Sequence, residues 1–520
     1  MVANVFFSLL SFASSIIIAF FLSPYILHRL GDMRYGIWAL FGEMLSYYGL
    51  LDFGVRGAVN YFVGKSLANE QEQNVKCYVS SAFFGLLSIS SFAFITTIVT
   101  VLFIDPTFGR GNVSQMEVIS AAVLFLTIFC IGMPMELFAA VLIGSRRQFL
   151  VSTSEIVARL VSSLLMYLFL LWYPGLMGLV VAQLAGKLIY WSSLLRNSRR
   201  YVPEAKISLR AASWKSLWHL ASYGLQNATI TISGMLIARK DVTFITLFLG
   251  ARWVANYSFA RLIVRTITSA CSSITQALRP NLVHHWARQE YNQVFSIYYA
   301  GVRYSSFILT MSSAFLFAYG REFMSLWIGA RFTEGPWQFR TDIVLYLLLA
   351  SQIPRTMHSM SWQFLFAVAK QKSFAIMIAC ESVINVILAV VLIQKYDVAG
   401  IAIATTIPMF LSHTVLVPWL MRRLVGVSIR RYILEGIGRP VILGVGMWIF
   451  GLWLKRVILP VAWKPLLLDA AIIGAVGTAL AFIFVMRPGD RPRLYGAIWS
   501  AWKYLRGERE LASSGTGIPG

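Results

Sequence analysis

Charged residues are scarce in this chain, and acidic ones are the scarcest. Asp, Glu, Lys and Arg make up 13% of the 520 residues, and only 22 residues are acidic. Soluble domains carry about 25% charged residues, so this scarcity argues against a soluble globular protein. Hydrophobic residues make up 58%, and apolar runs of about 20 residues recur from end to end. The sequence therefore predicts an all-α polytopic membrane protein.

The motifs of several enzyme and metal-protein classes are also missing. The four cysteines are isolated along the chain, a pattern that predicts neither a metal site nor a disulfide framework. The sequence has no P-loop and no Asp-x-Asp motif of the kind that metal-dependent glycosyltransferases use. We therefore expect no catalytic residue, no bound metal and no cofactor apart from a coupling cation or proton.

Hydropathy predicts about 14 transmembrane helices, the first near residues 2–27 and the last near 465–486. In the predicted loops and tail, 24 Lys and Arg residues lie on the side of the termini and 11 lie on the other side. The positive-inside rule then places both termini in the cytoplasm. The net charge of +23 is dispersed over loops, which fits contact with membrane lipids and disfavours a nucleic-acid partner.

The first half of the chain is repeated in the second half. At a constant offset of 219 residues, "LGDMRYGIW" (30–38) aligns with "LGARWVANY" (249–257). Six predicted spans repeat as six, so the two halves should have the same topology and a pseudo-twofold relation, a plan that places a transporter site between them. The predicted divisions are an N-terminal lobe (1–196), a basic cytoplasmic linker (197–215), a C-terminal lobe (216–424), two further helices (425–487) and a basic amphipathic cytoplasmic tail (488–520).

The opening residues carry a family resemblance. The segments "LHRLGDMRYGIWAL" (27–40) and "YYGLLDFGVRGAVNYFVGKSLANEQ" (47–71) closely resemble the start of polysaccharide-transport flippases. These O-antigen and exopolysaccharide flippases belong to the multidrug/oligosaccharidyl-lipid/polysaccharide exporter superfamily, whose multidrug and toxin extruders share the architecture. The resemblance covers essentially the whole chain.

The resemblance implies an alternating-access carrier in the bacterial inner membrane, with undecaprenyl-diphosphate-linked oligosaccharide as its substrate. A polysaccharide polymerase and a chain-length regulator are the protein partners to expect. Within the superfamily, a cation-coupled multidrug extruder and a lipid II flippase are the alternatives. A membrane enzyme is a further class, and the missing motifs argue against it.

Predicted span 8 carries a cationic stripe. Arg261 and Arg265 recur with serines and Gln276 at three- or four-residue steps, so they share one helix face. A charged face is too costly to present to lipid, so it should face the bundle interior or a watered cavity. Arginine binds phosphate oxygens bidentately, so one interpretation is contact with a diphosphate headgroup. The alternative is that these arginines pair with carboxylates and hold the lobes together.

Predicted span 2 (35–64) contains three ionisable residues, Glu43, Asp52 and Arg56, although each costs about 2.5–3.5 kcal/mol at the centre of an inserted helix. Asp52 and Arg56 are four residues apart and favour an intrahelical pair. A second interpretation makes Arg56 a headgroup contact, with Asp52 as its partner in the empty carrier. Glu43 lies on the opposite face, so we expect a different partner, protonation or an interfacial position.

Four more charged residues are weaker candidates. Arg355 follows Pro354 in a span that the proline should disrupt, which suggests a cavity-lining position. Glu136 follows Pro134 and is a candidate coupling site or a structural hydrogen-bond partner. Arg239 and Asp241 fall in a predicted tight turn, where they are candidates for gating or ordinary interfacial residues.

Overall fold

The structure is a computed structural model, and it describes residues 2–48, 52, 54–102, 113–225, 228–368, 370 and 372–486. Helices dominate these residues, and no strand occurs among them. The helices are α1 (Val2–Tyr48), α2 (Val55–Ala68), α3 (Glu72–Leu102), α4 (Gln115–Met135), α5 (Leu137–Gly144), α6 (Gln148–Trp172), α7 (Leu176–Tyr201), α8 (Trp214–Leu225), α9 (Ala228–Phe248), α10 (Val254–Ala287), α11 (Tyr291–Ile328), α12 (Thr341–Met357), α13 (Ser359–Ala367), α14 (Lys372–Leu411), α15 (Val417–Val425), α16 (Ile429–Arg431), α17 (Gly438–Val457) and α18 (Trp463–Phe484). The predicted tail, 488–520, lies outside the described residues.

Many of these helices are long and apolar enough to cross a bilayer. Eight helical stretches of the described residues meet that criterion: Leu10–Met44, Glu72–Ile95, Gln115–Gly144, Gln148–Trp172, Leu176–Tyr201, Lys372–Val425, Ile429–Val457 and Trp463–Phe484. Helices α10 and α11, with 34 and 38 residues, have the necessary length but a more polar composition. The chain is thus an all-helical membrane protein, and the count of about 14 spans stays a prediction.

Helix breaks agree with two predicted span boundaries and divide one predicted span. The prediction of one continuous helix over 35–64 is wrong, because α1 ends at Tyr48 and α2 begins at Val55. Within α1 the chain bends at Gly31, whose φ of 76° favours glycine. Within α14 the backbone is non-helical at Tyr396 and Asp397, which agrees with the break predicted between the spans at 373–394 and 398–420.

Some unusual backbone conformations recur at the offset of the sequence repeat. Gly31 and Gly250, 219 residues apart, both have positive φ, at 76° and 95°. Glu70 and Gln289 have the same separation, and their φ values are 56° and 60°. Non-glycine residues with positive φ are uncommon. Their recurrence at this offset is therefore evidence for the sequence repeat that does not depend on the apolar pattern.

The chain divides into two compact units. The first comprises Met1–Ala270, Gly320–Arg355 and Val368–Leu424. In it, α2 and α5 cross at close range, because a Cβ on Gly144 would lie 2.7 Å from the carbonyl oxygen of Asn60. A buried apolar core that includes Val59, Val79 and Leu137 surrounds this crossing.

The second unit comprises Cys271–Tyr319, Thr356–Ala367 and the described part of Val425–Gly520. Here α17 packs closely along α11: a Cβ on Gly444 would lie 2.7 Å from Thr310, and one on Gly451 would lie 3.2 Å from Ala318. The predicted division into lobes, linker, paired C-terminal helices and tail stays a prediction.

Candidate functional site

Seven of the nine charged residues predicted from the sequence gather in two clusters, both in the first unit. The first, which we call the Glu43 cluster, consists of Glu43, Arg239, Arg261 and Arg265. Glu43 is 9% exposed and lies in α1. Its Oε2 accepts a hydrogen bond from Arg239 at 3.1 Å, and its Oε1 lies 3.0 Å from an Nη of Arg261. One carboxylate therefore ties α1 to both α9 and α10.

The neighbouring turns fix α9 against α10. Asp241 of α9 lies 2.5 Å from the Nζ of Lys240 and accepts a short hydrogen bond from the Tyr257 hydroxyl of α10. All three side chains are nearly fully buried, so the two charges compensate each other out of water. Tyr257 is one helical turn before Arg261, and this anchor therefore orients the turn that carries the arginine. The prediction of a tight turn at Arg239 and Asp241 is wrong, because both residues lie within α9, where Asp241 is a buried partner of this anchor.

Two arginines of the Glu43 cluster have donors that no other described residue accepts. The second terminal nitrogen of Arg261 is buried and has no hydrogen-bond partner among the described residues. Arg265, one turn further along α10, is exposed, and no carboxylate of the described chain forms a salt bridge with it. It lies in the electrostatic field of Arg261, Arg239 and Glu43. The cluster therefore contains three guanidinium groups and one carboxylate, which contacts two of them, and it has an excess of positive charge.

The second cluster, the Glu136 cluster, consists of Asp52, Arg56, Glu136 and Lys187. Arg56 Nε donates to Asp52 at 2.5 Å, and a terminal nitrogen of Arg56 donates a short hydrogen bond to Glu136. The other oxygen of Glu136 accepts from Lys187 Nζ at 3.1 Å. Two cations and two carboxylates thus form a chain of salt bridges with no excess charge.

Local breaks in the helices position the Glu136 cluster. Glu136 lies at the break between α4 and α5, two residues after Pro134. Asp52 precedes α2, and its Oδ1 accepts from the backbone nitrogen of Gly54 at 2.8 Å, which fixes the turn into the helix. The close α2–α5 crossing then brings Arg56 to Glu136. The predicted pairing of Asp52 with Arg56 is confirmed, although Asp52 lies before the helix instead of within it.

The contacts decide between some of the alternatives for the other residues. Of the three alternatives for Glu43, the structure shows the different partner, because Glu43 pairs with Arg239 and Arg261. Arg261 is paired with a carboxylate, as the scaffold alternative expects, and its role as a headgroup contact stays a prediction. Arg355 lies 4.0 Å from the sulfur of Met409 and interacts electrostatically with Glu381 of α14. Arg355 therefore lies near the carboxylate of Glu381, and the sequence did not predict this neighbour.

Sequence reasoning missed Lys187 as a member of the Glu136 cluster, and it missed Lys240 and Tyr257 as the partners of Asp241. The available signal was the presence of charge in apolar segments, which marked Lys187 as unusual but named no partner. Its partner Glu136 is 51 residues away along the chain, and only the packing of α7 against α4 reveals the pair. Among the described residues, no group of three His, Cys, Asp or Glu side chains is arranged to hold a metal ion.

Comparison with known proteins gives a consistent result. The family model for polysaccharide biosynthesis proteins matches residues 1–286. The chain is 20% identical over 488 residues to the uncharacterized membrane protein EpsK of Bacillus subtilis, covering 93% of this chain and 95% of that protein. It is 23% identical over 392 residues to the probable low-salt glycan biosynthesis flippase Agl15 of Haloferax volcanii, covering 75% and 76%.

Solved structures resemble this chain in fold. The lipid II flippase MurJ, in an inward closed conformation, superposes with a TM-score of 0.72 at 14% identity, covering 92% of this chain and 99% of MurJ. An inward-facing multidrug transporter of the MATE family, from the MOP superfamily, gives a TM-score of 0.59 at 14% identity, covering 78% and 93%. At these identities, the likeness establishes a shared fold.

Proposed function

The chain belongs to the polysaccharide biosynthesis protein family, and from that membership we propose that it is a flippase for undecaprenyl-diphosphate-linked oligosaccharide. It moves this lipid from the cytoplasmic to the periplasmic leaflet for the assembly of surface polysaccharide such as O-antigen or exopolysaccharide. The transport involves no covalent chemistry. A relative whose name describes a glycan biosynthesis flippase, and a fold shared with a lipid II flippase, support this proposal.

The observation that carries the substrate class is the positive excess of the Glu43 cluster. A diphosphate presents several acceptor oxygens, and guanidinium groups bind such oxygens with two parallel hydrogen bonds. Arg261 has a buried donor without a partner, and Arg265 is exposed beside it. The desolvated donor is costly to leave unmatched, so an anionic ligand at this position gains binding free energy by satisfying it.

The two clusters then have different roles. Arg261, Arg265 and Arg239 contact the diphosphate, and Glu43 is their partner in the empty carrier. The Glu136 cluster has balanced charges, so Arg56 contacts an anion only after it leaves Asp52 or Glu136. For the same reason, Arg355 is a secondary contact that becomes available when the nearby Glu381 is neutralised.

The architecture that we propose is two six-helix lobes of about 14 spans in all, with alternating access between the two sides of the bacterial inner membrane. The paired backbone conformations at Gly31 and Gly250, and at Glu70 and Gln289, support the duplication. Both termini are cytoplasmic, and a proton or cation gradient supplies the energy. A polysaccharide polymerase and a chain-length regulator are the proposed protein partners.

A multidrug extruder is the second candidate, because the chain shares its fold with a MATE transporter. Cationic drugs favour acidic binding groups. The Glu43 cluster presents three guanidinium groups and one carboxylate, so this candidate is less well supported than an anion-binding flippase.

The test is translocation of labelled undecaprenyl-diphosphate oligosaccharide in proteoliposomes. We expect Arg261→Ala/Arg265→Ala to lower the flipping rate by at least about tenfold, which corresponds to about 1.4 kcal/mol of lost substrate interaction. The matched control is Arg288→Ala/Arg331→Ala, which removes two exposed arginines that lie outside both clusters.

Three outcomes separate the hypotheses. Robust flipping by the wild type and the control, with loss in the cluster variant, supports both the substrate and its contact residues. Equal flipping by all three proteins removes the arginines from the substrate path. Transport of cationic dyes with no flipping of the labelled lipid overturns the flippase proposal in favour of drug export.

A further inference from the structure

An exposed surface that is both basic and aromatic lies between α7 and α9. Residues 196–218 contain one acidic residue, Glu204, and six basic ones: Arg196, Arg199, Arg200, Lys206, Arg210 and Lys215. Three large apolar side chains of this segment are exposed as well: Leu209 by 73%, Trp214 by 77% and Trp218 by 62%. We call the exposed side chains of 206–218 the linker surface; they are Lys206, Leu209, Arg210, Trp214, Lys215 and Trp218. Large apolar side chains exposed together with basic ones mark an interaction surface.

The opposite side of this segment is fastened to α3. The backbone nitrogen of Ser208 donates a hydrogen bond to the hydroxyl of Ser80 at 3.0 Å. The backbone nitrogen of Ser213 donates to the hydroxyl of Ser81 at 2.8 Å. Both acceptor serines are buried, so these hydrogen bonds are shielded from water. The two contacts fix which side chains of the segment face away from the protein.

Helix α8 continues the same arrangement with two different faces. Leu220 is fully buried, and Leu217 approaches α3 so closely that a Cβ on Gly85 would lie 2.6 Å from one of its methyl carbons. Trp214 and Trp218 are four residues apart and therefore share one face, which is the exposed one. The two tryptophans are thus directed away from the helix that α8 packs against.

The basic residues of the linker surface have no acidic partner in the described part of the chain. Lys206, Arg210 and Lys215 are exposed, and none of them forms a salt bridge with a described residue. Residues 488–520, which lie outside the described residues, carry five basic and three acidic residues, so their net charge has the same sign. A second copy of the linker surface would repel this one for the same reason. Charge complementarity therefore favours an anionic partner from outside the chain.

We propose that the linker surface binds the headgroups of anionic phospholipids in the adjacent leaflet, with phosphatidylglycerol as the representative ligand. Its three basic side chains contact the phosphodiester groups, and its three apolar side chains enter the boundary between headgroups and acyl chains. The positive-inside rule predicts that this segment is cytoplasmic, and anionic lipids on that side attract clusters of basic residues. The ligand is a resident lipid of the bilayer, so the surface does not depend on the proposed transport.

Fluorescence quenching in liposomes tests this proposal. A bimane label is attached through Trp218→Cys in a cysteine-free full-length chain, and Trp214→Cys provides a second labelled position. The liposomes contain equal amounts of phosphatidylglycerol and phosphatidylcholine, of which only one is brominated. We expect brominated phosphatidylglycerol to quench the label at least about twofold more than brominated phosphatidylcholine. This preference should disappear in Lys206→Gln/Arg210→Gln/Lys215→Gln, and it should weaken at about 1 M salt, where charges are screened within about 3 Å.

The matched control is the same label attached through Trp172→Cys. Trp172 is 89% exposed at the C-terminal end of α6, and residues 160–186 contain no charged residue. The two brominated lipids should therefore quench this label equally. Equal quenching at positions 214 and 218 overturns the proposal, because the surface then has no preference for anionic lipid. Quenching at 172 but by neither lipid at 214 and 218 overturns it as well, because the linker surface is then covered by protein. A preference retained in the triple glutamine variant contradicts the assigned contacts.

Discussion

Glu43 and Arg261 illustrate how a side chain can join helices and still leave one hydrogen-bond donor unused among the described residues. Glu43 is bonded to two arginines from two other helices, whereas Arg261 uses only one of its terminal nitrogens on Glu43. The sequence predicted that both residues would avoid lipid, because an exposed charge in a membrane helix is costly. It did not predict the pairing, since residues 43 and 261 are brought together only by tertiary packing.

The pairing can be measured with a double-mutant cycle on Glu43→Gln and Arg261→Gln. Both side chains are mostly buried, so we expect each single substitution to destabilise the protein by leaving the other charge without its partner. The double variant should recover part of that loss, with a coupling energy of about 1–3 kcal/mol. The free energy of unfolding in micelles, from a denaturant titration, provides the measurement.

The corresponding pair of substitutions at exposed positions, Asp32→Gln and Arg331→Gln, serves as the control. Their salt bridge is 2.8 Å long, but the arginine side chain is 56% exposed. Exposed ion pairs are screened by water and typically contribute little. A coupling energy between Asp32 and Arg331 as large as that between Glu43 and Arg261 would contradict the argument that burial strengthens the pair.

At the level of helices, composition predicted where apolar segments occur better than where they bend. Pro134 and Pro354 each marked a real discontinuity: α4 gives way to α5 after the first proline, and α12 to α13 after the second. Gly31 gave no comparable warning, because a single glycine is tolerated within a helix pattern. Its positive φ interrupts the helix within the loop that hydropathy predicted between the first two spans, whereas the break between α1 and α2 was not predicted.

The crossing of α2 and α5 yields a prediction at this scale. We expect Gly144→Ala to lower the free energy of unfolding by about 1–3 kcal/mol, because the added methyl group overlaps the backbone of Asn60. The same displacement separates Arg56 from Glu136. Thermal unfolding in detergent is the measurement.

Gly234→Ala is the matched control. It lies within α9, and a Cβ there has no atom within 4 Å. The substitution then changes only the helix propensity of this position. We expect the free energy of unfolding to stay unchanged or to rise by up to about 1 kcal/mol. Equal destabilisation by the two substitutions would show that the α2–α5 contact is looser than described.

For the whole molecule, the sequence predicted the class and the family, while the relation of the charged clusters to one another required coordinates. Membrane insertion follows from composition, because length and hydropathy suffice to identify candidate spans. The repeat was visible as weak identities at an offset of 219 residues, and the positive φ values at Glu70 and Gln289 follow the same offset. By contrast, charge balance within each cluster depends on residues from several helices.

Topology provides the prediction at this scale. The excess of basic residues on one side predicts that a fluorescent protein fused after residue 520 folds in the cytoplasm and emits light. A cysteine introduced at Asp32, in a cysteine-free background, should react with a membrane-impermeant maleimide from the periplasm. A dark C-terminal fusion, or labelling at position 32 only after the cells are opened, would overturn the predicted orientation.

The position of Glu43 between two arginines also bears on substrate range. This carboxylate is a counter-ion built into the protein, and in the function that we propose an incoming diphosphate competes with it for the same guanidinium groups. Selection then depends on the charge and geometry of the headgroup, a part common to every lipid carrier of this type, with little dependence on the sugars attached. A carrier that discriminates in this way accepts new glycans as biosynthetic enzymes change, without altering its own binding residues.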